Sequence, residues 1–282
     1  MLELRPDRQL FEPALGQAAA GTRMAGRRVL VVGAGQRRSE EADPPVGNGR
    51  AIAVLCAREG ASVCCVDRDL ESAQETAAWI TREGGHASAL AADVSHPEAI
   101  VAMVRDAHDS LGGLDGLVVN VGIANHNRFG HETAEAWDEV QNVNLRAHML
   151  CAQEAAARME TGSSMVFVSS TASISPQSGL PAYETSKAAL AALGRAVAFA
   201  GQARALRANV IAPGLIDTPL GRDASRLRPA RAARPLPFGR QGTGWEVAYA
   251  TLFLLCAESS YVNGQVLIAD GGLSIGAARS DA

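Results

Sequence analysis

Seven short apolar runs alternate with segments of helical period along nearly the whole chain, and that alternation leaves little choice of architecture. The runs fall at 29–32, 62–66, 86–91, 117–121, 164–168, 208–211 and 266–268. Between and after them, helix-period segments occupy 49–59, 70–82, 97–110, 134–146, 147–160, 183–202 and 246–257, several of them stopped by glycine, as at Gly60, Gly84 and Gly112. A strand that returns through a helix pairs in parallel with the next strand, by a right-handed crossover, and helices cover both faces of the sheet. The expected fold class is therefore α/β, a single-domain doubly wound parallel sheet of Rossmann type. At 47% hydrophobic and 20% charged, the 282 residues supply one core, and no repeat or linker divides them.

In such a sheet ligands bind beyond the carboxyl ends of the strands. The first strand runs into Gly33-Ala34-Gly35-Gln36, and a helix opens at Gly47-Asn48-Gly49. A glycine turn feeding a helix N-terminus suits a diphosphate, because free amides and the helix dipole both favour an anion there. The turn is split by an insert, 37–46, half of it charged. Its acids Glu40, Glu41 and Asp43 would repel a diphosphate and are expected to face solvent, and Pro44-Pro45 stiffen its return. The second strand ends at Asp67-Arg68. A carboxylate at Asp67 can take both ribose hydroxyls and would oppose a 2′-phosphate, which favours NAD over NADP. Arg37 and Arg38 pull the other way, since they could accept that phosphate. Asp93 and Asn120 follow the third and fourth strands, where polar side chains can read adenine and fix the neighbouring loop.

Of the 26 basic residues 25 are arginine, and Lys187 is the only lysine. It stands four residues after Tyr183 at the start of a helix, so both share one face. Ser170 ends the fifth strand. A phenol, with a pKa of about 10, is a poor base; a nearby ammonium and a nicotinamide cation favour its phenolate. Tyr183 can then exchange a proton with a substrate alcohol or carbonyl while Ser170 hydrogen-bonds the same oxygen.

These residues carry a resemblance. Over about 26–275 the chain resembles the short-chain dehydrogenase/reductase family through Tyr183-x-x-x-Lys187, Ser170, Asn120-Val121-Gly122, Asn144, "PGLIDTP" at 213–219 and "DGG" at 270–272. It departs from the family's first motif in having Val32 for threonine and thirteen residues between Gly33 and Gly47 instead of three. The resemblance implies that Asn144 holds a water in a proton relay with Lys187, which also contacts the nicotinamide ribose. It implies that Ile216 and Thr218, after Pro213-Gly214, touch the carboxamide, and that Asp93-Val94 flank the adenine. It further implies a homotetramer or homodimer built through the helices at about 134–160 and 183–202.

The activity expected is an NAD(P)-dependent interconversion of a secondary alcohol and a ketone, with 3-oxoacyl-thioester reduction as the alternative. A non-catalytic binding protein and a sugar-nucleotide epimerase are the other readings, and the intact catalytic set and the short C-terminal segment disfavour them. The segment at about 218–240, a substrate lid, carries arginines 222, 226, 228, 231, 234 and 240 against one acid, Asp223. It is either a mobile solvated loop or an attractor of anionic substrates, a carboxylate or an acyl thioester, through Arg226 and Arg228. Asn125, His126, His131 and Gln177 are further pocket candidates. A net charge of −4 with 4% aromatics speaks against nucleic acid as a partner. Five cysteines without metal-ligand spacing fit a reduced, cytoplasmic setting and no metal. No apolar stretch suggests a membrane span. Residues 1–23, before Met24, are expected to be a loosely ordered extension to a domain at 24–282, with a shorter natural start.

Overall fold

The central strand β1 (Arg28–Val32) alternates its side chains between two cores, Val29 and Val31 on one face and Leu30 and Val32 on the other, all buried. Around it, in a computed structural model describing residues 11–175 and 178–276, the chain builds a seven-stranded parallel sheet. In chain order β1 is followed by α1 (Asn48–Arg58), β2 (Ser62–Asp67), α2 (Leu70–Arg82), β3 (His86–Ala91), α3 (Pro97–Leu111) and β4 (Gly116–Val119). Then come α4 (Ala134–Gln141), a π-helical turn (Asn142–Arg146), α5 (Ala147–Ala156), β5 (Ser164–Val168), α6 (Pro181–Ala200) and β6 (Arg207–Pro213). The chain continues with β7 (Ile216–Asp217), α7 (Pro219–Leu227), α8 (Pro229–Ala232), β8 (Gly242–Thr243), α9 (Gly244–Leu255) and β9 (Val266–Ala269). The sheet order is β3-β2-β1-β4-β5-β6-β9, so the winding reverses between β1 and β4 and opens a crevice at their carboxyl ends.

One core packs Ile52 and Leu55 of α1 and Leu252 of α9 against Val29, Val31 and Val166. The other packs Ile100 and Val104 of α3 and Cys151 of α5 against Leu30, Leu117 and Phe167. All five cysteines are buried and unpaired. Among the described residues no helix is long and apolar enough to cross a membrane.

Local chemistry sets the ends of several elements. Asp69 caps α2 by accepting from the amides of Glu71 and Ser72, and Thr243 and Glu246 form a reciprocal capping box on α9. The expected 70–82, 86–91 and 164–168 match α2, β3 and β5 in full. Two findings differ from expectation. The lid is largely helical, and a two-stranded parallel ribbon, β7 with β8, closes its base. Residues 11–23 are also not loose. A 3-10 turn, Glu12–Leu15, leads to Gly16, whose carbonyl accepts from Arg58 Nη1 (2.7 Å). Gly21 N donates to Arg58 O (3.1 Å), Met24 N donates to Glu59 O (2.8 Å), and Arg23 pairs with Glu258 (2.6 Å). The reason is Trp245: the Arg58 guanidinium stacks on it at 4.9 Å, Gly16 backs onto its indole, and this stretch keeps it buried.

Candidate active site

The turn after β1 is shaped by what its glycines lack. Gly33 has φ +82°, and a Cβ on Gly49 would collide with the Gly33 carbonyl oxygen and approach Asn120 Nδ2 to 2.6 Å. Asn120, freed because β4 stops at Val119, donates Nδ2 to Gly33 O (2.9 Å) and so clamps the turn. Asp67, at the end of β2, accepts from Gly35 N (3.0 Å) and Asp69 N (3.2 Å). Gln36 stitches the neck of the insert: its amide donates to Ser72 Oγ (2.7 Å) and its Oε1 accepts from Gly47 N (2.8 Å). The two glycine pairs are therefore brought to one place, at the amino end of α1, whose first turn holds no acid. Asn48 Oδ1 is buried without a partner, an acceptor left open in this cradle. Glycine-lined space and the amides at the amino end of α1 fit the diphosphate of a dinucleotide, whereas the open Asn48 acceptor calls for a donor such as a hydroxyl. Val94 is buried in the core beside this crevice, and Asp93 accepts from Ser95 N (2.9 Å), which together with the Ser95 hydroxyl holds its carboxyl below the ordinary value. Arg68 is exposed.

The insert does not stand alone in solvent. Glu40 and Asp43 are exposed as expected, but Glu41 is not. It bridges to the lid, accepting from Arg226 Nη2 at 2.5 Å and from Arg222. Arg37 pairs with Asp223 (2.6 Å), and Arg226 with the same Asp223 (2.8 Å), while Arg222 is bidentate on Asp217 (2.7 and 2.8 Å). Arg38 faces away, onto Asp69 (3.6 Å) and Glu71. The expectation that the insert's acids all point to water fails at Glu41, because two lid guanidiniums, of Arg222 and Arg226, pair with it. The same pairs engage Arg226, expected as a substrate contact, with Glu41 and Asp223.

Across the crevice, Lys187 lies one turn after Tyr183 on α6 and is 4% exposed. Its Nζ donates to Val168 O (2.9 Å), at the end of β5, and to Val121 O (3.3 Å), just past β4. Burial brings its pKa from 10.5 down to about 8. Burial pushes the Tyr183 phenol above its ordinary value; the Ser170 hydroxyl, hydrogen-bonded to it, and then the charges of Arg228 and Arg231 pull it back down. Ser170 caps a short 3-10 turn, its Oγ accepting from Ala172 N (3.2 Å). Asn144 sits in the π-helical turn, where its Oδ1 accepts from Ile123 N (2.8 Å) and its Nδ2 donates to Ile123 O (2.8 Å) and Ser186 Oγ (3.0 Å). Asn144 thereby ties the chain leaving β4 to α6. Gly122 completes the floor, since a Cβ there would stand 3.0 Å from Lys187 Nζ. Gly214, after Pro213, backs directly onto Asp270. Ile216 is buried, and Thr218 Oγ1 accepts from Gly221 N (3.0 Å) as the cap of α7. Among the described residues no group of side chains could hold a metal ion.

Asn125 is engaged elsewhere: Nδ2 donates to Glu132 Oε1 (2.8 Å) and Ala136 O (3.3 Å), so it holds the loop before α4 instead of offering its amide to a ligand. Gln177 lies outside the described residues. Two residues, His148 and Arg231, are not singled out by the sequence. His148, buried edge-on to Phe167 with centroids 6.1 Å apart, is kept well below pKa 6.5 by burial and then by the Lys187 charge. Its four-residue spacing from Asn144 was the available signal. Arg228 is expected from the sequence as an attractor of anionic substrates and Arg231 only as part of the lid's charge count, and the charges of both reach the Tyr183 phenol.

A family model described as Enoyl-(Acyl carrier protein) reductase matches residues 46–274. The chain is 33% identical over 236 residues to 2-(S)-hydroxypropyl-CoM dehydrogenase 3 of Xanthobacter autotrophicus, covering 81% of this chain and 92% of the relative. It is 33% identical over 231 residues to the 3-oxoacyl-[acyl-carrier-protein] reductase of Homo sapiens, covering 81% and 94%. Among solved structures, a short chain dehydrogenase from Burkholderia cenocepacia in complex with NADP superposes with a TM-score of 0.77 at 31% identity, over 89% of this chain and 98% of that one.

Proposed function

The chain belongs to the short-chain dehydrogenase/reductase family, and from that premise we propose that it interconverts a secondary alcohol and a ketone using NAD. The observation that carries this is the convergence of Ser170, Tyr183 and Lys187 on the crevice that also holds the glycine cradle. The nicotinamide, when bound, supplies or accepts the hydride. The protein's part is the proton. Tyr183 Oη gives it to the carbonyl oxygen or takes it from the alcohol, and Ser170 Oγ orients that oxygen. Lys187, as an ammonium, favours the phenolate and reaches the ribose; Asn144 keeps the relay path beside it. Pro213, Gly214, Ile216 and Thr218 border the nicotinamide end, and Asp93, Val94 and Asn120 the adenosine end.

For the cofactor, both arginines that could accept a 2′-phosphate are already paired, Arg37 with Asp223 and Arg38 with Asp69 and Glu71. Three acids, Asp67, Asp69 and Glu71, would face that phosphate, which supports NAD, although the Burkholderia cenocepacia neighbour binds NADP. The human relative supports a second reading, reduction of a 3-oxoacyl thioester. Two further proposals concern setting and assembly. The buried free cysteines suit a reduced, cytoplasmic compartment. A homodimer or homotetramer would form through α4–α5 and α6, whose outer face exposes Ala188, Ala192, Ala196 and Phe199.

The test is a panel of ketones, among them 3-oxoacyl thioesters, with NADH or NADPH, followed by loss of nicotinamide absorbance. Turnover with NADH at the higher kcat/KM, reduced about a hundredfold or more in Tyr183→Phe, is expected. Full activity in that variant would overturn the assignment.

A further inference from the structure

The lid's arginines are not equivalent. Arg222 and Arg226 are neutralised by Asp217, Asp223 and Glu41, and Arg240 by Glu246 (2.7 Å). Arg228 and Arg231 differ: among the described residues no carboxylate lies within ion-pair distance of either. Arg231 is fixed in place, its Nη1 donating to Gly221 O (2.9 Å) and to Ser225 Oγ. Arg228, at the break between α7 and α8, has a buried Nε without a partner.

The two cations also crowd each other. Burial, and then the Arg228 charge, lowers the Arg231 pKa, and both charges reach the Tyr183 phenol. Bringing two partly desolvated guanidiniums together without a counter-ion is unfavourable, and among the described residues no carboxylate offsets it. A bound anion would. The cofactor's diphosphate does not fill that role, because its cradle is at the amino end of α1, built from Gly33, Gly35, Gly47 and Gly49. The charges of Arg228 and Arg231 reach instead the Tyr183 phenol, the group proposed to handle the substrate oxygen.

We infer that Arg228 and Arg231 form an anion subsite for the substrate, so that the ketone or alcohol turned over carries a compact oxyanion: a carboxylate, a sulfonate or a phosphate ester. A planar guanidinium with parallel N–H donors matches each of these, and Arg228 Nε supplies a donor that is open. The inference rests on the oxidoreductase reading above and names its substrate class.

The experiment compares matched ketones: 4-oxopentanoate, its methyl ester, and the sulfonate and phosphate-ester analogues of the same chain. The quantity read is the ratio of kcat/KM for each anion to that for the ester at one pH. Effects transmitted through the Tyr183 pKa act on both substrates and cancel in this ratio. The wild-type protein should prefer an anion by about tenfold or more, and the anion with the highest ratio identifies the group. Arg228→Gln and Arg231→Gln should each lower the ratio about tenfold and the double variant should bring it near one, while Arg226→Gln leaves it unchanged. Should a variant fail to fold, as judged by loss of NADH binding, competitive inhibition of the wild-type protein by propane-1-sulfonate but not by 1-propanol gives the same information. An ester accepted as well as the anions, or equal losses on both, would overturn the subsite and leave the oxidoreductase assignment standing. Turnover of none of these or other ketones, with cofactor bound, would remove the assignment and the subsite with it.

Discussion

Lys187→Met should make the cofactor-free protein more stable at neutral pH while abolishing turnover. The ammonium is buried, and its pKa falls from 10.5 to about 8 on folding. That drop is worth about 3 kcal/mol at 1.36 kcal/mol per pH unit. A cation whose folded pKa is depressed destabilises the fold in full below the lower value. Between pH 8 and 10.5 the unfolded chain binds a proton that the folded one has shed, so wild-type stability rises with pH there. Against this, the methionine leaves the carbonyls of Val168 and Val121 without a donor, about 1 kcal/mol each. The net gain at pH 7 is therefore about 1–2 kcal/mol, or a few degrees in Tm for a domain of this size. The assay is urea unfolding of the apoprotein at fixed concentration, with reductant, in steps from pH 7 to 10.5. The advantage of the variant should shrink and reverse across that range. Parallel stability profiles for the two proteins would refute the reasoning, because they would mean that Lys187 titrates alike folded and unfolded.

Glu41→Gln removes two lid contacts at once, and because the partners are 38% and 60% exposed the stability loss should stay below about 1 kcal/mol. Its effect should instead be seen as faster tryptic cleavage after Arg226 and Arg231, reproduced in the wild-type protein by about 1 M salt, where the Debye length is only about 3 Å; an unaltered cleavage rate would mean that the insert does not hold the lid. For Asp115, burial favours the neutral acid, but the ion pair with Arg28 (2.7 Å) and the Arg28 amide outweigh it and leave the pKa below 3.8. That stabilisation is present above the ordinary value and lost as pH falls through the lower folded one. Asp115→Asn should thus cost about 1–3 kcal/mol at pH 7 and progressively less toward pH 3, checked by thermal melts at both ends.

What could be read from the chain follows from the range of the forces involved. The ends of α2 are set by Asp69 and by the glycines after Arg82, all local, and they were legible. Ser170, Tyr183 and Lys187 were legible because the chemistry demands those residue types at that spacing. The pairing of Glu41 was not legible, because its partners Arg222 and Arg226 lie far along the chain and local charge shows only its repulsion from a diphosphate. The lid helices were hidden for a similar reason: Pro219 and Pro229 look like loop residues, yet each occupies the first turn of a helix, where its missing N–H costs nothing. Arg226 and Arg228, two residues apart, are indistinguishable in sequence. Only the placement of Asp223 and Glu41 makes one a strut and leaves the other open. Residues 11–23 gave no local signal either, since their order depends on the indole of Trp245.

The contacts of Glu41 reach across 181 and 185 residues of chain to Arg222 and Arg226. The insert and the lid are consequently one structural unit, although they lie far apart along the chain. A lid exchanged alone, to change what the enzyme accepts, would strip the counter-charges from the loop beside the nucleotide. An insert grafted alone onto a relative would arrive as an unpaired carboxylate next to a phosphate site. Neither piece is portable, because a change in the lid is also a change in the charges beside the glycine loop.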